Sequence, residues 1–310
     1  MKKSILSFVS IGMIAIGASA QYVTIPDANF KTYLVTNTSI NTNMNSEIEF
    51  AEATAFTGTI NCPSLGIANL TGIQSFTALT GLACGGNTLG TLNVSQNTDL
   101  VFLNCYSTGI NALDLTQNQA LTNLQCYSNN LSVLDLSQNT ALAALNCNVN
   151  NLTNLDLSQN TGLLSLSCTG NNLTSLDLSQ NSSVVDINCI LNNLVSLNIL
   201  ACTNLTGITC QNNNLTALDV SQNTLLTGLN CQDNELTVLN MRNLSTATNL
   251  TSYFYATGNN LTCIDVDDVA NSTTTWTNID AGTVYSLNCM VDLVTSIDIQ
   301  GQSGATTISI

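Results

Sequence analysis

The chain has 310 residues, with 4 Lys and Arg against 19 Asp and Glu, no histidine, and a formal net charge of −15. A surface this acidic repels phosphate backbones and anionic lipid, which argues against nucleic-acid or membrane-surface partners. An apolar content of 44% argues against a disordered acidic chain, and the lack of histidine removes the commonest general base and zinc ligand.

The first twenty residues read as an export signal. Lys2 and Lys3 open it, Ile5 to Ile16 is apolar apart from small residues, and Ala18-Ser19-Ala20 gives a small-x-small cleavage pattern before Gln21. The apolar run is shorter than the roughly 20 residues a membrane span needs. Residues 1–20 are therefore expected to be removed, leaving Lys31 and Arg242 as the basic residues of a soluble, exported product with no membrane insertion.

Residues 21–58 form the next unit. Pro26 followed by Asp27, with Phe30, Tyr33 and Leu34 at helical spacing, predicts a short capping helix. Its expected task is to shield the open edge of the repeat that follows.

Residues 59–262 are repetitive. Cysteines stand at 62, 84, 105, 126, 147, 168, 189, 210 and 231, and after a first gap of 22 every interval is 21. Residues 142–162 read LAALNCNVNNLTNLDLSQNTG, and eight contiguous units of this kind run from Leu79 to Thr246. Within a unit, Leu145 and Cys147 share one face of a strand, as do Leu155 and Leu157. Each unit is thus read as one coil with two short strands whose leucine-sized groups point inward. Stacking at about 4.8 Å then builds a core that no single coil has.

Two asparagine columns mark the corners: Asn129, Asn150, Asn171, Asn192, Asn213 and Asn234 in one phase, and Asn97, Asn118, Asn139, Asn160, Asn181 and Asn223 in the other. A buried corner leaves backbone groups unpaired at about 1–3 kcal/mol each, and an amide that both donates and accepts can satisfy them. Cys202 replaces asparagine in the second phase. The cysteine column is read as buried thiols serving as small apolar groups. Parallel side chains about 4.8 Å apart exceed the usual disulfide Cβ separation, and one thiol per layer does not converge on a metal. Asp114, Asp135, Asp156, Asp177 and Asp219 form an outward acidic column. It is expected to be a solvated face; no cofactor is expected, calcium on these carboxylates being the minor alternative.

Residues 263–290 are read as a C-terminal cap, with Asp265, Asp267 and Asp268 in a cap turn. Cys263 and Cys289 lie outside the column and flank it, which makes them the candidate disulfide in an oxidising compartment.

The unit LxxLxCxxNNLTxLDLSQNTx resembles the 21-residue leucine-rich repeat class called IRREKO. VTIPDANFKTYL at 23–34 and NNLTCIDVDDVANSTTTWTNID at 259–280 resemble the caps of exported leucine-rich repeat proteins of the Bacteroidetes. The resemblance implies a mostly β leucine-rich repeat solenoid of about ten short coils, with an N-terminal helical cap and a C-terminal cap. Residues 291–310 are similar to the opening strands of a bacterial immunoglobulin-like domain. Such proteins often end in a sorting domain for the type IX secretion route, which this sequence does not match, so a truncated parent is expected.

Variation among the repeats points to a working face. Outward residues of the LDL strand barely change, whereas those around the cysteines change from coil to coil. Phe102, Tyr106 and Tyr127 form the expected anchor patch, with Gln125, Asn146, Asn148 and Ile190 beyond them and Tyr253 and Tyr255 towards the far end. Solenoids bind along an extended side, and amphipathic tyrosines are enriched in contacts. The expectation is a monomeric, non-enzymatic extracellular module, secreted or attached to the cell surface, that recognises a protein or glycan. The alternative is a passive spacer within a larger surface protein.

Overall fold

The computed structural model describes residues 21–242 and 252–289. The export signal at 1–20 and the immunoglobulin-like resemblance at 291–310 lie outside the described residues.

The cysteine side of the coils forms one parallel sheet of ten strands in sequence order, from Thr59–Asn61 through Ala144–Asn146 to Tyr253–Tyr255. Neighbours pair in register, so that Leu124 faces Leu145 and Leu145 faces Leu166. That register is the 21-residue period turned into geometry, since each leucine seats on its own equivalent one coil earlier. The middle residue of every strand in this sheet is buried. The core is a continuous stack of Leu, Ile, Val and Cys bounded by the two strand sides.

The opposite side departs from expectation. Strands form there only from Ser175 onward. Ser175–Asp177 pairs with Ser196–Asn198, and Ala217–Asp219, Val238–Asn240, Cys263–Asp265 and Val284–Ser286 make a second small sheet. The motif itself does not decide this, since LTSLDLSQN at 173–181 pairs whereas LSVLDLSQN at 131–139, with Val133, does not. In earlier coils this side carries mainly leucine between polar residues and holds its line through corner bonds, such as Asn151 N–H to Leu131 O (2.8 Å).

The asparagine columns behave differently from one another. In the first, Asn171 Nδ2 donates to the carbonyls of Cys147 and Cys168 (3.1 and 3.0 Å), and its Oδ1 accepts from Leu152 N–H (3.1 Å). In the second, Asn160 Nδ2 donates to Leu136 O and Asn139 O (3.1 and 2.8 Å). The Oδ1 atoms of Asn97, Asn118, Asn139, Asn160 and Asn181 have no hydrogen-bond partner. The expectation of full satisfaction therefore fails in this column. The nearby N–H groups are already spent on tight turns, as Asn160 N–H is on Leu157 O and Leu163 N–H on Asn160 O. Cys202 takes over the donor seat, its Sγ reaching Leu178 O and Asn181 O at 3.6 and 3.4 Å.

Each coil also needs one left-handed residue two places after the cysteine. Ser107, Ser128, Asn212 and Asp233 serve, but so do Val149 (φ 51°) and Leu191 (φ 55°). A bulky side chain in that region costs about 1–2 kcal/mol, so the coil geometry overrides the local preference of these two residues.

Both ends are closed. The helix Ala28–Thr36 buries Phe30 and Leu34. Its N-cap Asp27 accepts from Phe30 N–H through one oxygen (2.9 Å) and from Ala68 and Asn69 N–H through the other (2.8 and 3.2 Å). Burial alone would raise this carboxyl, but those donors outweigh it and leave it below its ordinary value. One side chain thus starts the helix and fastens it to the first coil. A second helix, Phe50–Ala55, which the sequence reading did not anticipate, is held by Glu52 Oε2 accepting from Glu49 N–H (3.0 Å). At the other end the expected cap turn is a helix, Val269–Thr275, begun by Asp268. Trp276 packs between Phe254 and Tyr285, and Cys263 is bonded to Cys289 with Cα atoms 5.7 Å apart. Among the described residues no helix is long and apolar enough to cross a membrane.

The remaining ten cysteines are free and buried. Burial pushes the Cys105, Cys147 and Cys231 thiols up to about 12, which leaves almost no thiolate near neutrality. A thiol reagent should therefore find ten groups after denaturation without reductant, all twelve after reduction, and react far more slowly with the native chain. A count of no free thiols before reduction would show that the column is cross-linked.

Candidate functional site

The outward side chains of the ten-stranded sheet lie in rows set by its register. One row runs Gly81, Phe102, Asn123, Ala144, Ser165, Asp186, Gly207, Gly228 and Tyr253. The next runs Ala83, Asn104, Gln125, Asn146, Ser167, Asn188, Thr209, Asn230 and Tyr255. Tyr106, Tyr127, Asn148, Thr169 and Ile190 occupy equivalent places just past the cysteines.

At the N-terminal end Tyr106 and Tyr127 stack face to face, with ring centroids 4.9 Å apart and planes 6° from parallel. The ring of Tyr106 fills the space that a side chain at Gly85 would need. Glycine one coil earlier is what lets the tyrosine lie down against the sheet. Phe102 shares this end of the sheet and is half-buried.

The middle of the face is a lattice of polar side chains. Asn104 Nδ2 donates to Gln125 Oε1 (3.1 Å), and Asn148 N–H donates to Asn146 Oδ1 (3.2 Å). Asn148 Oδ1 accepts from Ser167 Oγ (2.8 Å) and from Thr169 N–H (2.7 Å), and Thr169 Oγ1 donates to Asn188 Oδ1 (2.6 Å). These groups hold one another in place and offer a fixed set of remaining donors and acceptors. Ile190 is half-buried on the same side, next to exposed Leu191.

Tyr253 and Tyr255 lie on the last strand of the sheet, with ring centroids 6.1 Å apart. Six strand spacings, roughly 29 Å, separate them from the strand that precedes Tyr127. The structure therefore puts all nine sequence-selected residues on one side of the solenoid but divides the aromatic ones between its two ends. Burial, followed by the Asp186 carboxylate and the Cys210 thiol, pushes the Tyr253 phenol above its ordinary value. Asp186 is one of the variable outward residues of these strands; Gly207 and Gly228 were not among them, although glycines on variable strand positions in the coils before a tyrosine are a usable sign.

The acidic column is on the other side. Asp114, Asp135, Asp156, Asp177 and Asp219 each accept from the N–H two residues on, at 2.8–3.0 Å. Those backbone donors hold Asp114, Asp135 and Asp156 below the ordinary carboxylate value. Among the described residues no group of three or more His, Cys, Asp or Glu side chains is placed to hold a common metal ion.

No protein-family model and no curated protein matches the sequence. Solved structures do match. The functional domain of InlJ from Listeria monocytogenes, which includes a cysteine ladder, is similar at 31% identity and a TM-score of 0.70, over 86% of this chain and 62% of that one. This chain thus spans less than two thirds of the InlJ domain. The internalin InlF from Listeria monocytogenes str. 4b F2365 is similar over 87% of this chain and 94% of its own, with 17% identity and a TM-score of 0.60. The leucine-rich effector YopM from Yersinia pestis is similar over 74% of this chain and 61% of its own, with 22% identity and a TM-score of 0.56. Register, buried cysteine column and structural neighbours agree: the chain is a mostly β, parallel leucine-rich repeat solenoid of about ten coils, matching the folds of the internalins.

Proposed function

We propose that this solenoid is an exported, non-enzymatic recognition module, secreted or held at the cell surface, that binds an extracellular protein or glycan through the outward side of its cysteine strands. The observation that carries the reading is the Tyr106–Tyr127 stack laid against Gly85. Two rigid amphipathic rings beside Phe102, next to a stretch of small and polar side chains, make an anchor of the kind that dominates binding energy. The polar lattice from Gln125 to Asn148 supplies oriented hydrogen-bonding groups beside it. The leucine-rich repeat architecture supports the reading, because it presents one extended side of variable residues on an invariant core.

The test is partner capture from extracellular protein and glycan libraries by the full chain, followed by affinity measurement. Replacing Tyr106 and Tyr127 together by alanine should weaken the captured partner about thirtyfold or more, as expected for a central aromatic pair. The melting temperature should barely move, because both rings lie on the outside of the core. Undiminished binding by that variant would count against the anchor, and a chain that captures nothing would be acting as a spacer.

A further inference from the structure

Asp186, Gly207, Gly228 and Tyr253 are register partners on four consecutive strands. A Cβ at Gly228 would stand 2.5 Å from Cε1 and Cζ of Tyr253, so the ring lies flat over that glycine. A Cβ at Gly207 would stand 2.6 Å from Asp186 Oδ1 and 3.6 Å from Tyr253 Oη. The carboxylate and the phenol thus approach one point above Gly207 from opposite sides. No described residue hydrogen-bonds to either group. The two glycines leave their side-chain space to the carboxylate and the ring, which lie against the sheet and frame a shallow bay with an acceptor at one end and an aromatic face at the other. The Tyr255 ring, 13° from parallel with that of Tyr253, extends the aromatic end.

Among the described residues no cation reaches this bay. Lys31 pairs with Glu47 at 2.6 Å in the N-terminal cap, and Arg242 lies 3.8 Å from Asp267. With a net charge of −15, the complementary ligand is positive. A guanidinium suits the shape better than an ammonium, because it is planar, stacks on aromatic rings and offers a fork of donors to a carboxylate.

We propose that this bay is a binding site for an arginine side chain of a protein partner, with its guanidinium paired to Asp186 and stacked on Tyr253. The inference rests on the reading that this side of the solenoid meets a partner, and it narrows that partner to a protein with an exposed arginine.

The test uses the full chain with 13C-labelled tyrosine rings, titrated with Nα-acetyl-arginine methylamide and, separately, with the neutral citrulline analogue. The arginine probe should shift the Tyr253 and Tyr255 signals saturably while leaving those of Tyr106 and Tyr127 in place. Asp186→Asn, a near-isosteric change at an exposed position, should weaken the response roughly fivefold, and Tyr253→Leu should weaken it as well. Unchanged Tyr106 and Tyr127 signals in each variant verify the fold. An equal response to citrulline, or arginine binding indifferent to Asp186→Asn, would overturn the site. Partner binding that depends on Tyr106 and Tyr127 alongside a silent arginine titration would sink this inference alone. An arginine response in a chain that captures no partner would keep the bay and sink the recognition reading.

Discussion

Raising the pH from 8 to 10 should unfold the chain. Nine cysteines of the column are buried and unbonded. Burial holds Cys62, Cys105, Cys147 and Cys231 up at about 12, and pushes Cys84, Cys126, Cys168, Cys189 and Cys210 well above their ordinary value. In the unfolded chain the same thiols ionise near 9. The folded form therefore keeps protons that the unfolded form releases, so stability is complete below that value and falls as the pH rises through it. By pH 10 the loss is on the order of 1 kcal/mol for each thiol, so the nine together contribute on the order of 10 kcal/mol. A loss of that size is comparable with the whole stability of an ordinary domain. Far-UV circular dichroism at 25 °C with a phosphine reductant should show a steep transition below pH 10 that reverses on return to pH 8. Replacing Cys126, Cys147 and Cys168 by valine removes three ionisable groups and should move the midpoint upward. An unmoved midpoint, in a variant of unchanged urea stability at pH 7, would refute the role assigned to the thiols.

The two asparagine columns should respond unequally to truncation. Asn171→Ala removes two donors and one acceptor, and it strands the buried N–H of Leu152. A buried donor with no replacement partner costs about 1–3 kcal/mol on top of the lost bonds, so a destabilisation of about 3–5 kcal/mol is expected. Asn160→Ala removes two donors, but both acceptors keep another partner, since Leu136 O still accepts from Asn139 N–H and Asn139 O from Leu142 N–H. It also removes an Oδ1 that has no partner, so about 1–2 kcal/mol is expected. Urea unfolding at pH 7 measures both. Equal losses, or a larger one at Asn160, would contradict the hydrogen-bond assignment.

The period of the cysteines was enough to place the coils, the buried thiols and the face that bears Tyr106 and Tyr127, because strict spacing leaves one way to stack. Cys263 and Cys289 stood apart for the same reason. The helices Phe50–Ala55 and Val269–Thr275 were not legible, because six or seven residues rich in Ala and Thr carry little helical periodicity and owe their starts to Glu52 and Asp268. Pairing of the LDL side was over-read, since an identical motif forms strands at Leu176 but not at Leu134. Val149 and Leu191 gave no local sign of a left-handed backbone; the coil imposes it. The Asp186–Tyr253 bay was hidden because the two residues come together only after the intervening coils fall into register, with an irregular step of 25 residues between Gly228 and Tyr253.

In-register stacking also quantises the molecule's length. Excising one whole unit, such as residues 142–162, would bring Leu164 to the place Ala143 now takes beside Thr122, whereas a residue more or fewer would have to be absorbed in a corner, as the 25-residue step from Gly228 to Tyr253 is. A clean excision would bring the tyrosine pair and the distal bay nearer by one strand spacing, about 4.8 Å, with both left intact. The coil count is thus a ruler between two contact points, and a partner that must reach both could be matched or refused by adding or subtracting a single rung.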